Sequence, residues 1–268
     1  MKAIHYFLLF VIAGSFASCN KDGSVEFTDT PIITTYLSPG NPVSVNIARQ
    51  IPFSSNAVNS SDNINALAVQ VNYNNVWYTL MPIGNGQYVD SALKVQPGGT
   101  YQLSFTFNSK PVSALTSIPY KPTGYTESAS AITLEQIDSA HSIPTLPTPP
   151  PIQLNWINTD GSYYIVVVQN IETVLSPIRN YGTFNTVPHI FRESPTTSNT
   201  IQIEPREFQY FGRHRMILYH CWPDYAALYN RTSNSSQDLT NPSTNITNGY
   251  GIFTGLNADT LMVDVLKY

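Results

Sequence analysis

Catalysis needs polar groups that converge, and few candidates in this sequence have the spacing for it. His214 and His220 share parity in a run with strand character, so both project from one face. Six residues at about 3.3 Å each separate them by roughly 20 Å, too far to share a metal ion. Asp224 is the nearest carboxylate that follows them. Glu204 and Glu207 flank Pro205-Arg206 and place two carboxylates in one loop, the residue types that glycoside hydrolysis uses, and Arg206, Arg213 and Arg215 are close enough in sequence to neutralise them. Gly249-Tyr-Gly-Ile-Phe-Thr-Gly255 has the glycine density of a phosphate-cradling loop. It lacks the lysine and follows a polar stretch, so it reads as a glycine-rich turn. The sequence holds no Gly-x-Ser-x-Gly, His-Glu-x-x-His or Cys-x-x-Cys. No catalytic residue, metal ligand or cofactor is therefore assigned.

There are two cysteines. Cys221 lies in Leu218-Tyr-His-Cys-Trp222 and reads as a small buried hydrophobe, since the adjacent His220 would point to the opposite face of a strand. Cys19 has a different setting. Lys2 supplies a positive start, Tyr6 to Gly14 is an unbroken apolar run, and Phe16-Ala17-Ser18 leads with small residues into the cysteine. A membrane span needs about 20 apolar residues and a signal-peptide core roughly 7 to 15, so this run is a signal core. With the cysteine directly after the small residues, it resembles a bacterial lipoprotein signal peptide. Residues 1–18 are then expected to be removed and Cys19 to carry diacylglyceryl and palmitate-type acyl chains. One myristoyl-sized chain binds a membrane only marginally and a second lipid signal makes the attachment stable, so such a chain stays on its membrane. The expected location is the cell envelope at the outer membrane, with the periplasmic or surface face left open.

Composition agrees with an exported β-protein. Hydrophobic residues make up 42% and aromatics 12%, enough for a sizeable core, while charged residues are only 11% against a usual value of about 25%. Polarity comes from Asn, Ser, Thr and 17 tyrosines. A net charge of -4 leaves no basic footprint for nucleic acid. Twenty prolines disfavour long helices.

Hydrophobic periodicity then orders the elements that would position any site. After a tether over 19–30, Val43, Val45 and Ile47 alternate with polar residues. Val69, Val71 and Tyr73 do the same, as do Tyr101, Leu103, Phe105 and Phe107. Asn74-Asn75 separates two such runs and signals a hairpin, because Asn tolerates positive φ. Tyr163 to Val168 is apolar on both faces and reads as a central strand. Pro223 to Tyr229 is the one short helix expected, with Pro and Asp at its start. The fold class is all-β: two immunoglobulin- or fibronectin-like β-sandwich domains in tandem, with that helix in the second. The boundaries are 31–119 for the first, 120–150 for a Pro-rich connector and 151–268 for the second. Ala129 to His141, inside the connector, fits a short helix or an edge strand.

Several stretches, in this order, resemble one family. They are Ile32-Ile-Thr-Thr-Tyr-Leu37, Asn41-Pro-Val-Ser-Val45 with Pro52-Phe53, Pro97-Gly-Gly-Thr-Tyr-Gln-Leu103, Ser117-Ile-Pro119, Asn241-Pro-Ser-Thr-Asn-Ile246 and Gly249-Tyr-Gly-Ile-Phe253. Together with the N-terminal signal they look like the Bacteroidota lipoproteins catalogued as domain of unknown function 4249. The resemblance implies an envelope lipoprotein of immunoglobulin-like domains, often encoded near TonB-dependent outer-membrane transporters, and implies no catalytic residues.

Aromatics are the remaining functional signal. Phe208-Gln-Tyr-Phe-Gly-Arg-His-Arg215 precedes the helix, and a long Asn- and Ser-rich loop ends at Gly249-Tyr250. Arginines and aromatics dominate binding energy at interfaces, so Trp222, Tyr225 and Tyr250 are candidate partner anchors. The expected function is a non-catalytic binding or accessory module, serving an outer-membrane transporter or capturing a nutrient or glycan. The alternative is a hydrolase of envelope polymers whose site is assembled from residues distant in sequence.

Overall fold

The computed structural model describes residues 29–50, 64–138, 144–180, 188–229 and 244–268. Cys19 and the signal segment lie outside them, as do parts of the connector and of the Asn- and Ser-rich loop. The regular structure of the described chain is nearly all strand. In the N-terminal half run β1 (Pro31–Leu37), β2 (Pro42–Arg49), β3 (Gln70–Tyr73), β4 (Val76–Thr79), β5 (Met81–Gly84), β6 (Gln87–Lys94), β7 (Thr100–Phe107) and β8 (Lys110–Ser117). Short strands β9 (Thr126–Glu127), β10 (Ala131–Leu134) and β11 (Ile137–Asp138) follow. Next come β12 (Ile152–Asn155), β13 (Tyr163–Asn170), β14 (Ser176–Pro177), β15 (Arg179–Asn180), β16 (Ile190–Arg192), β17 (Thr200–Ile203) and β18 (Tyr210–Cys221). The helix α1 (Pro223–Ala227), β19 (Ile246–Thr247) and the 18-residue β20 (Tyr250–Lys267) complete the chain.

Alternation explains most of these strands. In β7, Tyr101, Leu103, Phe105 and Phe107 are buried while Gln102 and Thr106 face water. The expected hairpin at Asn74-Asn75 forms, with φ of 52° and 62°, the left-handed pair that a tight two-residue turn between twisted strands requires. Ala131–Leu134, for which helix and strand were both open, is a strand paired in parallel with the end of β20. Tyr163 to Val168 lies inside its sheet, between β16 and β18, as its two apolar faces demand.

Two sandwiches share one wall. A long sheet runs in the order β16-β13-β18-β20-β1-β2-β6-β5. Its β5 to β1 end faces the sheet β19-β8-β7-β3-β4, and its β16 to β20 end faces the sheet β17-β12-β9. The link is β20. Its first six residues pair in parallel with β1, from Tyr250 opposite Ile32 to Gly255 opposite Leu37, and the residues from Leu256 to Val265 pair antiparallel with β18. Odd-numbered β20 side chains point to one face. Phe253 is in the N-terminal core with Ile33, Val45 and Leu103, and Val263 and Val265 are in the second core with Val166 and Leu218. Ile246 also joins the N-terminal core, so residues after the Pro-rich connector complete the first sandwich.

Gly249 to Gly255, expected as a turn, instead lies largely within the start of β20. Glycine is needed at Gly251 because φ is +93° and a Cβ there would collide with the Ile33 carbonyl oxygen. Between the two cores the same face of β20 becomes polar. There Asn257 Nδ2 donates to the Pro119 carbonyl at 2.9 Å and Asp259 pairs with Lys121 at 2.9 Å. The segment from Ser117 to Lys121 is thus held along the strand in steps of two.

Candidate functional site

The sequence-derived anchors occupy different settings. Trp222, partly buried, precedes α1 and donates from Nε1 to the Ser117 carbonyl at 2.6 Å, so it clamps the helix to the segment that joins the halves. Tyr225 is buried, with 7% exposure. It packs edge-on against Tyr36 at 5.5 Å and Tyr229 at 5.1 Å, and burial pushes its phenol well above the usual tyrosine range. Tyr250 lines a groove with Asp29, Pro31, Phe107 and Lys110 at the other end of the N-terminal sandwich. Tyr36 lies beside Thr254, four residues along β20 from Tyr250, which is about 13 Å. The three do not form one cluster. Around Tyr225 the structure adds surface that sequence reading missed: Tyr36 is 44% exposed, Leu228 likewise, and Arg192 sits 4.1 Å from the centre of the Tyr229 ring. Arginine over an aromatic face is a favourable, partly desolvated contact.

Both histidines of β18 have structural partners. Antiparallel register puts His220 opposite Tyr164, on whose ring it stacks at 4.8 Å, and His214 opposite Asn170. Asn170 has its amide orientation fixed, because Oδ1 accepts from Glu172 N and Nδ2 donates to the Phe211 carbonyl. Nδ2 therefore faces His214 Nε2, 3.3 Å away, as a donor, while His214 Nδ1 lies 2.9 Å from the Gly212 carbonyl and must donate. That pattern fits only neutral imidazole, and burial holds its pKa below the usual histidine range. The unfolded chain then binds the extra proton more readily below its own pKa near 6.5. Stability contributed by His214 is full above that pH and is lost as pH falls toward the folded-state pKa. Urea unfolding at a series of pH values is expected to show this slope, and His214→Gln to flatten it. Cys221 is fully buried, its thiol 3.6 Å from the Tyr163 carbonyl and pushed up to about 12 by burial, which makes it an inert core group.

The Glu204 and Glu207 pair is consumed by the backbone. Glu207 Oε2 accepts from Glu204 N at 2.7 Å, and the Glu204 side chain accepts from the backbone three residues on, a capping box around the turn Pro205–Glu207. The arginines expected to neutralise them have other partners: Arg213 lies 4.0 Å from Asp264, and Arg215 donates to Gln169 at 2.7 Å. Among the described residues no group of three or more His, Cys, Asp and Glu is placed to hold a metal ion.

A cleft opens beside that turn. It encloses about 130 Å³ against Leu134, Ile178 and Phe208, with Pro144, Pro147, Pro149 and Pro205 on its rim. That is about the space of one six-membered ring. Its outer wall is a strap from the connector. Glu135 holds the strap by accepting from Thr145 N at 2.7 Å, Thr145 Oγ1 at 2.9 Å and Leu146 N at 3.1 Å. Arg179 and Arg206 also line the cleft, and neither meets a carboxylate among the described residues. The prolines were legible as a connector, but nothing in their spacing shows that they fold back as a wall.

These features define an all-β protein of β-sandwich architecture. No protein-family profile matches the chain, and no curated protein matches it. Among solved structures it is similar to the FN1–FN3 domains of chicken CNTN1, at 10% identity and a TM-score of 0.29 over 89% of this chain. The chain spans 65% of the length of that structure. Among the described residues no helix is long and apolar enough to cross a membrane.

Proposed function

We propose that this chain is an envelope lipoprotein of the group catalogued as domain of unknown function 4249, tethered through lipidated Cys19 and acting as a non-catalytic binding module. The observation that carries the binding role is the cleft: two guanidinium groups without carboxylate partners among the described residues line it beside apolar walls, on a platform braced by a shared strand. Proline, leucine and phenylalanine surfaces suit the C–H face of a sugar ring, and the arginines suit a carboxylate on it. An acidic glycan is the ligand class this combination selects. Titration with galacturonate oligomers, followed by chemical shifts or melting temperature, is expected to show saturable binding that neutral galactose oligomers lack. Arg179→Gln and Arg206→Gln should each weaken it about tenfold, because a charge-assisted hydrogen bond contributes about 1.5–3 kcal/mol. Equal response to neutral and acidic sugars would remove the capture reading.

The corner formed by Tyr36, Leu228, Tyr229 and Arg192 favours a second role, docking on an outer-membrane transporter, with Trp222 and Tyr225 as its structural support and Tyr250 as a separate contact. A photo-crosslinking residue at position 36 should then join the chain to a β-barrel transporter in intact membranes. Recovery of lipid adducts alone would count against docking there.

A further inference from the structure

The N-terminal sandwich has a corner built unlike the rest of the surface. The strands β4 and β5 are the edges of its two sheets, and the chain passes from one to the other through buried Leu80. Around that passage Val76 is 50% exposed, Trp77 46%, Met81 66% and Ile83 62%. No charged residue occurs from Asn63 to Val89. Open edges are ordinarily guarded by charge against other chains, and exposed apolar patches of this kind mark contact surfaces. Strand addition does not fit well here. β4 has four residues, and β5 carries Pro82 with a shift of register beside it, both of which block extension of a ladder.

The tether indicates another occupant. From Cys19 to Asp29 are ten residue steps, at most about 35 Å of chain. Asp29 is held in place by Arg49 at 2.7 Å and by Asn108 Nδ2 at 3.2 Å. The β5–β6 turn is at this same end, since Ile47 N donates to the Gly86 carbonyl two residues before Arg49. Counting strands β1, β2, β6 and β5 at about 4.8 Å spacing puts β5 roughly 15 Å across the sheet from β1, and Trp77, level with Gln102 while Asp29 is held at Asn108, lies about 20 Å along the sandwich from the tether's attachment, within its reach. We infer that Val76, Trp77, Met81 and Ile83 form a membrane-contact edge that seats the N-terminal sandwich on the bilayer carrying its anchor. Uncharged residues 63–89 bring no ion to be desolvated at the headgroups, and a tryptophan beside aliphatic side chains suits the interface. The inference rests on the lipid-anchor reading for its setting, but its test does not.

A chain of residues 19–268 can be joined through the Cys19 thiol to a maleimide lipid in phosphatidylcholine and phosphatidylglycerol vesicles, because the other thiol, Cys221, is fully buried. With brominated phosphatidylcholine in those vesicles, the expected result is a blue shift and loss of emission that Trp77→Phe abolishes. The double variant Met81→Asp, Ile83→Asp should lose the quenching while keeping its melting temperature. Unquenched Trp77 on vesicles that hold the coupled chain would overturn the inference. So would quenching that persists unchanged in the double variant, or a dimer in solution that buries Trp77. Absence of lipid on Cys19 of the cell-derived protein would instead count against the anchor alone.

Discussion

Phe253→Ala is expected to lower the unfolding free energy by about 3–5 kcal/mol, the range for removing a buried aromatic from a packed core. The side chain is fully buried among N-terminal core residues, yet it belongs to a strand whose other end supplies Val263 and Val265 to the second core. A continuous backbone ladder from β1 through β20 to β18 couples the two. Loss of the N-terminal packing should therefore be felt by the second sandwich as well. Urea unfolding followed separately through Trp77, on the first sandwich, and Trp156, buried in the second, should give coincident transitions that shift together. A chain ending at Gly249 should lose cooperative unfolding at both probes. If Trp156 melts unchanged in either variant, the shared strand does not couple the halves.

Cys19→Ala should leave the signal segment uncleaved and no lipid on the chain, whereas the chain from residue 20 exported behind an ordinary cleavable signal should move from the membrane fraction to the soluble fraction. The expected effect is large because each buried methylene contributes about 0.8 kcal/mol and the variant loses every acyl chain at once. Mass spectrometry of the wild-type N-terminus should find the lipid mass on Cys19. A wild-type protein that washes from membranes in high salt with an unmodified N-terminus would refute the anchor. The membrane-contact edge is too small to substitute for it, so residual binding of the lipid-free chain 20–268 should depend on vesicle concentration.

Local features were legible because they are written in short-range spacing. Tyr101, Leu103, Phe105 and Phe107 announce a strand with one buried face, Asn74-Asn75 announces the turn between β3 and β4, and Pro223-Asp224 announces the helix, since each depends on a few consecutive residues. The inert setting of Cys221 was legible for the same reason, its neighbours being those of a core strand.

The candidate sites were legible only in residue type. Tyr225 was singled out as an aromatic anchor, but the helix turns its ring inward and leaves Tyr36, from a strand almost 190 residues earlier, as the exposed face. Arg213 and Arg215 were near Glu204 and Glu207 in sequence, but the strand carries them to Asp264 and Gln169. The prolines of 144–149 read as a stiff connector and line a cleft wall, where Glu135 accepts from the Thr145 and Leu146 N–H groups between them.

By itself the sequence determined the all-β class and the strand faces, because periodicity is a local property of a chain. Tertiary structure alone decided that residues 244–255 complete the first sandwich, that one strand carries both cores and that Arg179 and Arg206 line one proline-walled cleft. A period of two states which face of a strand is buried. It does not state which strand lies beside it, and the parallel pairing of Ile32 with Tyr250 spans over 200 residues that leave no local mark.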